Sequence, residues 1–179
     1  AFENVLKFEG RTPANLSAYA GVALRAGLPE KANAVLKEAE GHAPSAALRS
    51  TQSLHHLQAG DLDKALSLAE EAVSLDPDYL PAYPHLSALR KGKLKDSEVD
   101  ALTRRVGDAS RSPSERSMAS FVLAHHHDAN GDIDKAFQEY ARANRLANEY
   151  RRLENVEYDP AGAEQRMQSI WDRFSDRAD

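Results

Sequence analysis

Apolar residues fall at helical intervals along most of the chain. Tyr83, Leu86 and Leu89 form one stripe, Val99, Leu102 and Val106 a second, and Tyr140, Ala143, Leu146 and Tyr150 a third. Steps of three and four put each set on one face of an α-helix, because the helix completes a turn every 3.6 residues. Alanine and leucine dominate the apolar set, aromatic residues make up only 7% of the chain, and the β-branched residues that strands favour are scarce. The pattern predicts an all-α chain of about ten helices arranged as antiparallel pairs.

The stripes repeat. Gly27, Ala32, Ala39 and Pro44 recur as Gly60, Ala65, Ala72 and Pro77, each displaced by about 33 residues. Gly131, Ala136 and Ala143 recur about 71 residues after the second set, or two units and a few residues, and Gly131–Phe137 nearly copies Gly60–Leu66. Each unit reads as helix A, a tight turn and helix B. The glycine supplies the left-handed turn or the close approach. Asp61, Asp63, Asp132 and Asp134 stand where an N-cap or a first-turn acid belongs. Pro29 suits a first helical turn, the alanines allow neighbouring backbones to approach, and Pro44 and Pro77 end helix B.

These are the signature positions of the tetratricopeptide repeat family, which the sequence resembles. The resemblance implies a helix-turn-helix solenoid wound as a right-handed superhelix, its A helices lining a concave groove. Residues 13–45, 46–79 and 114–150 match well, the last with an extended second helix. Residues 80–113 read as a degenerate unit whose turn is Lys91-Gly92-Lys93. The aromatic usual early in helix A is absent from the matching units, so packing there must differ. Residues 1–12 read as a partial repeat consisting of a second helix only, because Ala1 stands before Pro13 as Ala32 stands before Pro44, with Val5 and Phe8 in the places of Leu36 and Ala39. The expectation is therefore a piece of a longer protein. The alternative is that Ala1–Glu9 is a capping helix.

Residues 151–179 read as a linker, broken at Tyr158-Asp159-Pro160, and a C-terminal capping helix with Met167, Ile170, Trp171 and Phe174 on one face. Here a second resemblance appears. Phe121–Ala124, the phrase Ala136-Phe137-x-x-Tyr140-x-x-x-Asn144, Tyr158-Asp159 and the Ile170 to Phe174 segment follow one another. That order is similar to the region ahead of the catalytic domain in bacterial tetratricopeptide-repeat sulfotransferases, over about Ala82–Ser175. The resemblance implies a parent enzyme that moves a sulfuryl group from 3′-phosphoadenylyl sulfate to an acceptor. The loop that would bind the nucleotide phosphates would lie beyond Asp179, so the chain itself is expected to hold no cofactor.

Charge and composition narrow the partners. Net charge is −5, and Arg104-Arg105 and Arg151-Arg152 are isolated pairs among acids, which speaks against nucleic acid. No window approaches the roughly 20 apolar residues of a membrane span. The chain lacks cysteine, which removes disulfides and thiolate metal sites. No signal peptide is visible, and cytoplasmic placement is the expectation. His125-His126-His127 point about 100° apart on a helix and cannot share one metal ion. His55-His56 occupy the same repeat positions as His126-His127, which favours a role set by the repeat. Glycine-rich phosphate loops and the Gly-x-Ser-x-Gly elbow are both missing, so no catalytic residue is assigned.

Peptide binding is the natural use of the predicted fold. The repeat register places Ser17, Gly21, Leu24 and Arg25 in the groove from the first full unit, Ser50, Leu54, Leu57 and Gln58 from the second, and Phe121, His125 and Asp128 from the last. This set is mostly small and apolar. Gly21 and Leu54 stand where tetratricopeptide domains that grip a chaperone's C-terminal carboxylate carry Asn, so no such clamp is expected. The alternative is that these residues only shape the surface or meet neighbouring repeats. Three functions follow: a non-catalytic scaffold holding a protein or peptide, the substrate-recruiting arm of a sulfotransferase, or a structural array that self-associates through its terminal helices.

Overall fold

The structure, a computed structural model, describes Leu6, residues 10–154 and Glu164–Gln165. Among the described residues there is no strand and there are eight α-helices: α1 (Pro13–Arg25), α2 (Pro29–Ala39), α3 (Ala46–Ala59), α4 (Leu62–Leu75), α5 (Tyr83–Leu89), α6 (Asp96–Gly107), α7 (Pro113–Ala129) and α8 (Ile133–Leu153). A 3-10 turn, Leu80–Ala82, leads into α5. The predicted helices at Ala1–Glu9 and around Met167–Phe174 lie outside the described residues. Leu6 is helical and buried against the first repeat, and Glu164 and Gln165 are helical and exposed.

Sequence chemistry sets the helix ends. Pro13, Pro29 and Pro113 each stand in a first turn, where a missing N–H leaves no bond unmade. Thr12, Ser45 and Asp61 accept from the backbone N–H groups of Asn15, Leu48 and Lys64 at 3.2, 3.2 and 3.3 Å. Ser112 and Glu115 cap α7 reciprocally, each accepting from the other's backbone N–H at 3.2 Å. Asp132 stands at the N-cap of α8 but makes no such bond; its carboxylate meets Lys135 Nζ at 3.3 Å. Helix α2 ends at Ala39, well short of Pro44, so that proline follows the stop rather than making it.

The A helices form a continuous inner layer: α1 packs on α3, α3 on α5, and α5 on α7. Each B helix packs only on A helices, α2 against α1 and α3, α4 against α3 and α5, α6 and α8 against α7. This two-layer stacking is possible because the facing residues are small. Ala32, Ala39, Ala65, Ala72 and Ala143 are fully buried. Buried serines join the layers directly: Ser53 Oγ donates to the Ala65 carbonyl at 2.8 Å, and Ser117 Oγ to the Ala143 carbonyl at 2.8 Å.

The unit 80–113 departs from this scheme. The backbones of α5 and α6 stand further apart than those of the other pairs, though Leu86, Leu102 and Val106 share one core; α5 lies between α4 and α7, and α6 lies on α7. Polar links bridge the gap. Arg90, at the end of α5, donates to both carboxylate oxygens of Glu98 on α6 at 3.0 and 2.9 Å, and to Glu70 on α4 at 2.5 Å. Glu98 also accepts from the Lys95 N–H at 2.7 Å. Arg105, buried at 7% side-chain exposure, donates to the Asp78 carbonyl at 2.5 Å and to Glu115 at 3.3 Å. The turn between the helices is tight: Lys91 and Gly92 both have positive φ, 51° and 82°.

Two glycines carry different constraints. Gly131 (φ 78°) makes the A–B turn that Gly60 (φ 82°) makes in the second unit, and a side chain on Gly131 would meet nothing within 4 Å. A Cβ on Gly92 would lie 2.5 Å from Ala129 Cβ and 2.6 Å from the His125 carbonyl oxygen. Gly131→Ala should therefore lower stability by about 1 kcal/mol through backbone strain alone, and Gly92→Ala by clearly more, in urea melts of both variants. Removal of the Glu98 carboxylate strands a half-buried guanidinium and an amide. Glu98→Ala should cost about 3 kcal/mol by the same measurement.

Candidate functional site

The inner layer carries a cavity of about 410 Å³ between α5 and α7. Pro84 and Ser87 line it from α5, and Met118, Phe121, Val122 and His125 from α7. Met118 and Phe121 remain 38% and 39% exposed, while Val122 forms part of the core beneath. Phe121 leans on Tyr140 of α8, with ring centroids 6.3 Å apart. The polar groups are neutral hydroxyls and one imidazole: Ser87 Oγ and His125 Nδ1 are 2.9 Å apart, and Ser117 is committed to the Ala143 carbonyl. No carboxylate, lysine or arginine lines the cavity among the described residues. Its chemistry suits an uncharged, largely apolar group with one hydrogen-bonding atom.

The groove residues expected from the register divide into two kinds. Phe121 and His125 line this cavity, and Asp128 is exposed one turn further along α7. Leu57 is half-buried, Gln58 and Arg25 are exposed, and Leu54 is half-buried against the N-terminal core. Ser17, Gly21, Leu24 and Ser50 are buried and face the protein rather than a ligand. Ser17 Oγ donates to the Pro13 carbonyl at 2.7 Å, and the Arg25 guanidinium lies 3.5 Å from where a Cβ on Gly21 would be. Small residues let neighbouring helices approach closely enough to cover these positions. Pro84, Ser87 and Met118 were not expected from the sequence. Met118 stands three residues before Phe121 on the same helical face, a usable signal; Pro84 and Ser87 sit in the degenerate unit, where the register no longer applies.

The histidines separate as their helical angles require. His125 meets Ser87, His126 Nδ1 accepts from the Leu94 N–H at 3.2 Å, and His127 Nδ1 approaches Asp132 at 3.7 Å. His56 Nδ1 approaches Asp61 at 3.4 Å in the second unit, the same pair in the same repeat positions. The edge-on ring contacts repeat too, 5.4 Å for His55–His56 and 5.5 Å for His126–His127. No group of three or more metal-ligating side chains gathers among the described residues. No helix among them is long and apolar enough to cross a membrane.

Paired helices in two layers, with a groove on the A side, define a tetratricopeptide-like helical repeat fold. Among solved structures, the crystal structure of MamA is similar over 83% of this chain and 86% of that one, with a TM-score of 0.53 and 19% identity. No protein-family model matches the chain. No curated protein matches it either.

His85, next to Pro84 on α5, has a buried Nδ1 without a hydrogen-bond partner among the described residues. Burial pushes its pKa below the usual 6.5, and burial together with neighbouring His56 does the same to His55. A depressed imidazole pKa means that the unfolded chain takes up protons first as pH falls through about 6.5, so the fold loses stability there. The melting temperature should drop between about pH 7.5 and about pH 5.5, and His85→Leu should flatten part of that drop in a pH series of thermal melts.

Proposed function

We propose that the chain is a non-catalytic interaction module that holds a protein segment along its inner layer and seats one apolar side chain between α5 and α7. The observation that carries this reading is the pairing of two part-exposed large apolar residues, Met118 and Phe121, with a cavity that has no charged lining residue among the described residues. Covering the part of each side chain that is still exposed contributes about 1 kcal/mol, so the pair can anchor a peptide of modest affinity. The Ser87–His125 pair supplies the polar contact that orients it.

A second reading rests on the phrase Ala136, Phe137, Tyr140 and Asn144 on α8. In that reading the array recruits a polypeptide acceptor for a sulfotransferase domain on the same parent protein. The residues that would hold 3′-phosphoadenylyl sulfate are not among those of this chain, and no chemical step is assigned to it.

Selection of peptides from a display library on the intact chain should enrich sequences with an aromatic or branched aliphatic residue and no obligatory charge. Phe121→Asp should weaken a selected peptide by about tenfold or more, or about 1.4 kcal/mol, with the melting temperature retained. Equal affinity for the variant, or selection of acidic or basic motifs only, counts against the groove.

A further inference from the structure

Helix α8 presents an apolar face that runs from Tyr140, which leans on Phe121, to the exposed Phe137 and Ile133. Ile133 and Phe137 are 62% and 73% exposed, and Tyr140 and Asn144 continue their line at helical spacing. The repeat itself shows what this face is for. Leu62, Leu66, Ala69 and Val73 are the residues of α4 in the same register. There, Ala69 and Val73 are buried and Leu66 is packed against the same core, beneath Leu80, Tyr83 and Leu86 of the following turn and helix. Leu62 is 56% exposed even there, so Phe137 rather than Ile133 marks the difference: the place that Leu66 fills on α4 is open on α8.

We propose that the chain's own segment around Met167–Phe174 docks on this face of α8. Met167, Ile170, Trp171 and Phe174 stand at i, i+3, i+4 and i+7, the spacing of one apolar helical face, and Glu164 and Gln165 at the head of this segment are helical. Reach permits the return. From Leu153 back to Phe137 the helix measures about 24 Å, whereas residues 154–164 extend to about 35 Å. The match is chemical as well: Ile133, Phe137 and Tyr140 offer branched and aromatic surface to a segment carrying Ile, Trp and Phe. The docked segment would take the place beside α8 that α5 takes beside α4, next to Phe121 through Tyr140, and its test reads Trp171 rather than peptide affinity.

Trp171 is the single tryptophan, so its fluorescence reports on the segment alone. In the chain of residues 1–179, Trp171 emission should be blue-shifted and shielded from acrylamide, at a level that does not change with protein concentration. Phe137→Asp should shift the emission to the red and raise quenching to that of a free indole, while circular dichroism retains the helical signal of the repeats. Phe137→Leu should keep the protected spectrum. An exposed Trp171 in the unmodified chain, or a protected Trp171 indifferent to Phe137→Asp, overturns the proposal. Protection that grows with concentration overturns it too, and assigns the face to a second copy. If Phe137→Asp unfolds the repeats, Asn144→Asp takes its place: it changes an exposed polar position in the same line and should produce the same red shift, and an unchanged spectrum in that variant overturns the proposal.

Discussion

Close approach of helix backbones is the constraint on which this array depends. A helix pair stacked on the next pair leaves room for little more than a methyl group at the crossings, and those crossings are occupied by Ala32, Ala39, Ala65, Ala72 and Ala143. The same proximity brings Ser53 and Ser117 within reach of carbonyls on the partner helix. Close contact at these alanines lets the leucines between them, among them Leu16, Leu48, Leu86 and Leu102, be fully buried, and the two together hold the layers. Of the largest fully buried side chains, Tyr83 is the one aromatic among the described residues. Its hydroxyl donates to the Pro77 carbonyl at 2.8 Å, and burial, with help from Glu98 and Asp78, pushes its pKa up to about 12.

That constraint also explains which parts of the molecule were legible in the sequence. Alanines and glycines at a fixed period revealed the fold, because each must be small for a reason that recurs in every unit. Gly60 and Gly131 have the left-handed backbone that their place in the turn demands. The equivalence of His55-His56 and His126-His127 was readable for the same reason; that His56 meets Asp61 as His127 meets Asp132 emerged only from the structure. Side-chain direction within a helix was less readable. Leu24 and Ser50 were placed in the groove by register, yet both are buried, because register alone does not say how closely the neighbouring helices approach. Pro84 and Ser87 were not legible at all. They belong to a unit whose helix A is a single short segment after a 3-10 turn, and no neighbour supplies a template for it.

The degenerate unit is therefore where the regular physics stops and something else takes over. Where the helix backbones stand further apart, two arginines reinforce the shared core, each making several bonds. Arg90 ties α4, α5 and α6 through Glu70 and Glu98, and Arg105 ties α6 to the chain ahead of α5 and to α7. Charge-assisted bonds of this kind fix geometry strongly when both partners are held, because the fork of a guanidinium accepts few arrangements. They tolerate tilting less well than a layer of methyl groups, which slides.

The wider spacing of the α5 and α6 backbones does not interrupt the array. Leu80, Tyr83 and Leu86 share one core with Ala69 and Val73 on one side and with Leu102, Val106 and Val122 on the other, so neighbour-to-neighbour order passes through the unit. The cavity at Pro84, Met118 and Phe121 has one wall on the short helix and the other on α7. A segment seated there touches two consecutive inner helices at once and would act as a rivet between them.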